Sequence, residues 1–145
     1  MSASRLRYLL LTALLLLSGQ STARAQDLVV IAHPDSGLQQ LSPAEVSHLF
    51  LGRLKRLPSG AKAQPVDTTS LKAVFYARLI GTQLPEIDAY WARLMFSGNT
   101  RPPEQLPDST AAVQRIKQQP GAVGYVERSS VTPGVRIVLE LGPAQ

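Results

Sequence analysis

The chain has 145 residues, a mass of 15.7 kDa and a formal net charge of +5. This length is typical of one domain, and 44% hydrophobic residues against 17% charged ones exclude a fully disordered chain. Three basic residues, Arg5, Arg7 and Arg24, lie in the first 25 positions, and without them twelve basic side chains face ten acidic ones. So small an excess, with no aromatic residues interleaved among the cations, argues against a nucleic-acid-binding protein.

Residues 1–25 have the layout of a secretory signal peptide. Basic residues precede an apolar run from Leu9 to Leu17, and Ala23-Arg24-Ala25 is a small-x-small cleavage site. An uncleaved membrane anchor is the alternative, but the run is far shorter than the about 20 residues that span a bilayer. The chain has no cysteine, which excludes disulfides and a lipid-anchored lipoprotein. We therefore expect a signal peptide over 1–25 and a single periplasmic domain over 26–145 without a stable membrane anchor.

The remaining sequence alternates predicted strands with predicted helices. Leu28 to Ala32 is a continuous apolar run, typical of a strand buried on both faces. Ser42-Pro43-Ala44-Glu45 combines a capping box with a proline at the first helical position, which predicts a helix that stops by Gly52. The next predicted elements are a strand over Ala63–Val66 and a helix from Leu71 that Gly81 ends. A third predicted helix begins at Pro85 and turns Ile87, Trp91, Leu94 and Met95 inward. It is followed by a predicted loop over Ser97–Pro107, a helix capped by Asp108 or Ser109, and strands over Ala122–Val126 and Val135–Leu141.

This order predicts an α/β fold, a three-layer sandwich with a mostly parallel or mixed sheet. Ligands of such sheets bind beyond the carboxyl ends of the strands, which directs attention to the loops that follow the first two strands. Tyr90, Trp91 and Phe96 recur at helical spacing, which predicts core packing rather than an aromatic cage.

Two loops hold the candidate ligand-binding residues. Asp67-Thr68-Thr69-Ser70 follows the second strand and opens a helix, where unpaired amides and the positive end of the helix dipole hold anions. Plain capping by Thr68, Thr69 or Ser70 is the alternative. Ser36 and Gly37 follow the first strand and offer a hydroxyl and an N–H to the same oxyanion, with an ordinary surface turn as the alternative. We expect the two loops to share one pocket.

The other polar groups indicate no catalytic or metal chemistry. Arg53, Lys55 and Arg56 form a cluster that is interpreted as a solvated loop, with a patch for an anionic partner as the alternative. His33 and His48 are the only histidines, and neither belongs to a metal-ligand spacing. The sequence contains no nucleophile elbow, phosphate-binding loop or dinucleotide-binding motif. We expect no enzyme activity, no metal and no cofactor.

Several motifs resemble those of a known family. They are Phe50-Leu51-Gly52, Pro58-Ser59-Gly60, Phe75, Tyr90-Trp91, Phe96-Ser97-Gly98, Pro102-Pro103 and, above all, Pro120-Gly121-Ala122-Val123-Gly124-Tyr125-Val126. Together they resemble phosphate-binding proteins of the type 2 periplasmic-binding class, the PstS-like substrate-binding proteins of phosphate ABC transporters. The resemblance extends from about Val29 to Val138 and is strongest to short, single-lobe members.

This resemblance carries expectations about function. Full members have two α/β lobes that close over the anion, so the chain resembles one lobe. In full members an Arg, an Asp and a Ser-Gly-Thr at a helix start hold phosphate. By resemblance Asp67 corresponds to that Asp, and Thr69 and Ser70 supply hydroxyls, whereas the Arg and the Gly have no counterpart. The resemblance implies binding of phosphate or another small anion for uptake or sensing, with an ABC permease or another envelope protein as partner. The absent Arg favours the alternative, an envelope interaction module that has lost ligand binding and docks another protein or a second copy.

Overall fold

The computed structural model describes residues 27–98 and 100–142, so the predicted signal peptide lies outside the described residues. The elements in chain order are β1 (Leu28–Ala32), α1 (Pro43–Phe50), β2 (Gln64–Thr68), α2 (Lys72–Ile80), α3 (Leu84–Phe96), β3 (Glu104–Leu106), α4 (Ser109–Gln118), β4 (Ala122–Glu127) and β5 (Arg136–Gly142). In the described part of the chain, no helix combines the length and the hydropathy that crossing a membrane requires.

The five strands form one mixed sheet in the order β3-β2-β4-β1-β5. β2 runs parallel to β3 and β4, whereas β1 is antiparallel to both of its neighbours, β4 and β5. Four of these strands therefore point one way and β1 points the other way. The α/β fold with a mixed sheet is confirmed, and the reversal of β1 decides which loops meet at each end.

Alternate side chains of the sheet supply two cores, which makes the fold a three-layer sandwich. Val30 of β1 and Tyr125 of β4 face α1, α2 and α3, where they pack with Phe50 and Phe75. Ile31 and the other residues of the opposite face pack against α4. All five residues of β1 are buried, as expected for a strand covered on both faces. Burying an aromatic or branched side chain contributes about 1.5–3 kcal/mol, so these two layers provide most of the stability.

The ends of the helices follow the predicted local signals in three cases. Ser42 Oγ accepts from Glu45 N at 3.2 Å while Glu45 Oε2 accepts from Ser42 N at 2.7 Å, which completes the capping box of α1. The Asp108 carboxylate accepts from Ala111 N at the start of α4. Gly81 ends α2 in the left-handed conformation that glycine adopts readily.

Three local predictions are wrong. Met95 and Phe96 do not pack inward, because the buried stripe of α3 passes through Ile87 and Trp91 and leaves Phe96 98% exposed. The segment predicted as a loop over Ser97–Pro107 contains β3, a polar strand that exists because its backbone pairs with β2. No side chain caps the 3-10 turn and helix that follow β2, since Thr68 bonds elsewhere.

Candidate functional site

Asp67, the first of the four predicted ligand residues after β2 begins, is buried and accepts hydrogen bonds from three side chains of the fold. It lies in β2, and its side chain shares a face with Tyr76 of α2 and Tyr125 of β4. Oδ1 accepts from both phenol hydroxyls, each at 3.0 Å, and Oδ2 accepts from Gln105 Nε2 at 2.8 Å. With 1% of its surface exposed, Asp67 has both oxygens engaged by side chains of the fold.

The electrostatics of Asp67 follow from that burial. Loss of hydration raises the pKa of its carboxyl above the ordinary value, and the hydrogen bonds from Gln105 and Tyr125 and the charge of Lys72 oppose the rise. Lys72 Nζ stands 3.8 Å from Asp67 Oδ2 and 3.6 Å from Asp88 Oδ1. Burial and the nearby carboxylate also raise the pKa values of Tyr76 and Tyr125, which keeps both phenols protonated as donors. The nearest cation is therefore already shared between two carboxylates.

The three residues after Asp67 divide between the interior and the surface. Thr68 is buried, and its hydroxyl donates to the Tyr125 carbonyl at 2.7 Å. Thr69 and Ser70 are exposed within a 3-10 turn, so their hydroxyls remain accessible. The Ser70 amide donates to the Pro107 carbonyl at 3.3 Å, which occupies one of the amides expected to hold an anion. Of the four predicted residues, only Thr69 and Ser70 face solvent.

Ser36 and Gly37 lie at the other end of the sheet. Ala32, the last residue of β1, pairs with Val123 near the start of β4, whereas β2 runs beside β4 in the same direction and ends near the end of β4. Ser36 is fully buried, its hydroxyl accepts from Leu38 N at 3.2 Å, and its carbonyl accepts from Ser59 N. The expectation of a shared pocket is wrong, because β1 is antiparallel and carries its loop away from Asp67.

A cleft of 910 Å³ lies at the end of the sheet where β2 and β3 begin. One wall is a hairpin formed by residues 53–63, in which Arg56 and Lys62 make an antiparallel bridge. The opposite wall is the end of α3 and the segment that leads into β3. Gly121 fixes the base of the hairpin, since a Cβ atom there would lie 2.2 Å from the Lys62 carbonyl oxygen. Only glycine permits this approach.

The cleft is basic, and we call it the basic cleft. Lys55, Lys62 and Arg101 line it, and within residues 27–98 and 100–142 none of the three forms an ion pair. Of its described lining residues only Glu104 is acidic, and Glu104 pairs with Arg115 at 2.8 Å. The sequence shows the charges at positions 53–56. It does not show that Lys62 and Arg101 line the same cleft as Lys55, because only the fold brings these segments together.

The histidines do not form a metal site in the described residues. His33 Nδ1 accepts from Asp35 N at 3.0 Å, and His48 is exposed. No three His, Cys, Asp or Glu side chains of the described ranges stand close enough together to hold a metal ion.

Comparison with solved structures identifies the fold. The chain is similar to an ABC-type phosphate transport receptor from Vibrio cholerae, with 12% identity and a TM-score of 0.61 over 83% of this chain and 50% of that one. A putative phosphate ABC transporter substrate-binding protein from Clostridium perfringens, solved with bound phosphate, gives 16% identity and a TM-score of 0.62 over 79% of this chain and 45% of that one. PstS from Borrelia burgdorferi gives 13% identity and a TM-score of 0.54 over 79% of this chain and 47% of that one.

These similarities show that the chain shares its α/β fold with part of each of these binding proteins. The chain spans about half the length of each of these proteins. No family model and no curated protein matches the sequence.

Proposed function

We propose that this chain is a non-catalytic solute-binding-type protein that binds a small oxyanion, such as phosphate, in the basic cleft. The observation that carries the proposal is that Lys55, Lys62 and Arg101 all line this one cleft, and none of them has an acidic partner among the described residues. The similarity to a substrate-binding protein solved with bound phosphate supports the same class of ligand. Lys55, Lys62 and Arg101 are exposed, so water screens each contact to about 0.2–1 kcal/mol, and the proposal depends on all three cations contributing together.

The end of β2 is the competing location for the anion. Thr69 and Ser70 present exposed hydroxyls there, as the sequence predicted, but the neighbouring charges are unfavourable. An anion beside this turn approaches the Asp67 carboxylate, and Lys72 is already held between Asp67 and Asp88. Like charges at short range disfavour binding, whereas in the basic cleft the one described acidic lining residue, Glu104, is paired with Arg115 and three lining cations have no acidic partner among the described residues.

The test is calorimetry of phosphate, sulfate and acetate with the protein produced from the full chain. We expect saturable heat with phosphate, and an affinity lower by a factor of up to about five in Lys62→Gln and in Arg101→Gln, since one exposed charge contact is lost in each. Thr69→Ala and Ser70→Ala are the matched variants, and they leave the affinity unchanged. If these two variants abolish the heat while the Gln variants keep it, the anion binds at the end of β2. No heat with any anion contradicts the function itself.

Intrinsic fluorescence gives a second readout of the same titration. Trp91 is the single tryptophan of the chain, and a Cβ atom on Gly52 would lie 3.0 Å from its indole Cη2. Gly52 lines the basic cleft, so the indole lies directly behind the wall. We expect phosphate to change the Trp91 emission in parallel with the heat.

The cellular setting is part of the proposal. A signal peptide over residues 1–25 delivers the single domain over 26–145 to the periplasm, where the oxyanion complex serves uptake or sensing with an ABC permease or another envelope protein. Fractionation of cells that produce the full chain, with N-terminal sequencing, tests the export. Recovery in the cytoplasm with Met1 retained contradicts it.

A further inference from the structure

Among the described residues, two of the large exposed apolar side chains line the basic cleft and the third follows one of them on α3. The large exposed hydrophobic residues of the described chain are Leu54, Met95 and Phe96, with 38%, 53% and 98% of their surface accessible. Leu54 and Met95 line the basic cleft from its two walls, and Phe96 lies between Met95 and Gly98, which are both lining residues. Single exposed hydrophobic residues are ordinary, but two that line one cleft, with a third next to Met95 on α3, indicate an interaction surface. We call these three residues the apolar rim.

The charges around the apolar rim specify the chemistry of its partner. Arg53 and Arg56 lie on the exposed hairpin, and Arg93 lies one helical turn before Phe96 on α3. The last two turns of α3 contain no acidic residue. Aromatic, methionine and arginine side chains are the ones enriched at the centres of protein interfaces. A complementary partner therefore carries acidic side chains around apolar anchors.

The concave shape favours a protein segment over a membrane surface. Lys62 and Arg101 line the cleft itself, whose volume of 910 Å³ is large enough for several side chains. A planar lipid surface contacts the exposed Phe96 but does not follow the concave wall that Lys62 and Arg101 line. A polypeptide segment reaches both.

We infer that the apolar rim and the basic cleft together dock an acidic, apolar segment of another protein. The segment places an apolar side chain against Phe96 and Met95 and carboxylates against Arg93 and the cleft cations. This docking does not depend on oxyanion binding, although phosphate competes for the cations that both ligands use.

The probe is a fluorescent amphipathic peptide of four helical turns, with Glu on its polar face and Leu on its apolar face. Two control peptides carry Lys in place of every Glu or Ser in place of every Leu. Titration with the protein made from the full chain is followed by anisotropy. We expect saturable binding of the acidic apolar peptide, weakening with added salt, and at least about tenfold weaker binding of each control peptide.

Variants of the protein locate the surface. Phe96→Ser lowers the affinity for the acidic apolar peptide about tenfold, because one central aromatic anchor is lost. Phe96→Leu restores most of that affinity. Phe96 is 98% exposed, so neither variant perturbs the core. Phosphate binding stays unchanged in Phe96→Ser, which separates this inference from the oxyanion proposal. Equal binding of the Lys peptide, an unchanged affinity in Phe96→Ser, or binding to vesicles of anionic phospholipid without binding to any peptide overturns the inference.

Discussion

Replacing Asp67 by alanine tests whether this residue supports the fold or binds a ligand. The substitution removes the acceptor of Tyr76 and Tyr125, whose hydroxyls each stand 3.0 Å from Oδ1. Each buried donor left without a partner costs about 1–3 kcal/mol, and removing a poorly hydrated carboxylate returns part of that cost. We therefore expect Asp67→Ala to lower the free energy of unfolding by about 2–4 kcal/mol.

The same substitution in a second background isolates the hydrogen bonds. In Tyr76→Phe/Tyr125→Phe no hydroxyl is left unpaired, so Asp67→Ala costs about 2 kcal/mol less than in the original protein. Urea unfolding, followed by the emission of the single tryptophan, Trp91, measures the free energy of unfolding of four proteins. They are the original protein and Tyr76→Phe/Tyr125→Phe, each with and without Asp67→Ala. Equal costs in the two backgrounds refute the hydrogen-bonded centre. A loss of phosphate affinity in Asp67→Ala at unchanged stability shows instead that Asp67 is a ligand residue.

The pH dependence of stability provides an independent measure of Asp67. Burial raises its pKa in the folded protein, so the folded state holds the proton more tightly than the unfolded state, in which Asp titrates near about 3.9. Its contribution to stability is therefore complete below that ordinary value and is lost as the pH rises through the folded pKa. We expect the urea midpoint of the original protein to fall over this window relative to that of Asp67→Asn. Parallel profiles of the two proteins contradict the assignment.

Three further substitutions test the backbone and the surface. Gly121→Ala places a methyl group 2.2 Å from the Lys62 carbonyl oxygen, and we expect it to lower the free energy of unfolding in urea by about 2–4 kcal/mol. Gly60 has φ +87° and open space around it, so Gly60→Ala lowers the same free energy by about 1–2 kcal/mol. Equal losses in the two variants exclude the close approach at Gly121 as the cause. Ser42→Ala removes the N-cap of α1 and lowers the unfolding free energy by about 1 kcal/mol, and an unchanged urea midpoint shows that the cap contributes nothing. Phe96→Ala changes stability by less than about 0.5 kcal/mol, and a larger loss in thermal unfolding shows that Phe96 packs against the protein after all.

The elements whose signals are local in sequence could be predicted. The capping box at Ser42 and the cap at Asp108 depend on residues three positions apart, and both form as the pattern indicates. The apolar run of β1 is buried on both faces because its alternate residues pack into the two cores on either side of the sheet. Alternation of strands and helices was enough for the α/β class, since each amphipathic helix needs a sheet face to cover.

The features that depend on pairing at long range could not be predicted. β3 has only three residues, Glu104–Leu106, and no hydrophobic alternation, so only its ladder with β2 identifies it. The direction of β1 is equally invisible in its sequence, because a run buried on both faces fits a parallel or an antiparallel neighbour. The sequence indicates Asp67 as a ligand residue because it follows a strand and precedes a helix, but its hydrogen bonds to Tyr76 and Tyr125, 9 and 58 positions away, have no local signal.

The reversal of β1 also determines how the two candidate anion locations compare. A single helix start contributes about 0.3–1 kcal/mol toward an anion, and at the turn after β2 one of the amides is already bonded to Pro107. Lys55, Lys62 and Arg101 are exposed, so each contributes about 0.2–1 kcal/mol toward an anion, but the basic cleft has three of them. Had β1 run parallel to β4, Ser36 and Gly37 would have added hydrogen-bond donors beside Thr69 and Ser70. The two candidate locations would then have differed less in their binding free energy for an anion. Because β1 is antiparallel, the hydroxyls are separated while Lys55, Lys62 and Arg101 line one cleft, so the proposed oxyanion site rests on cationic side chains rather than on helix amides.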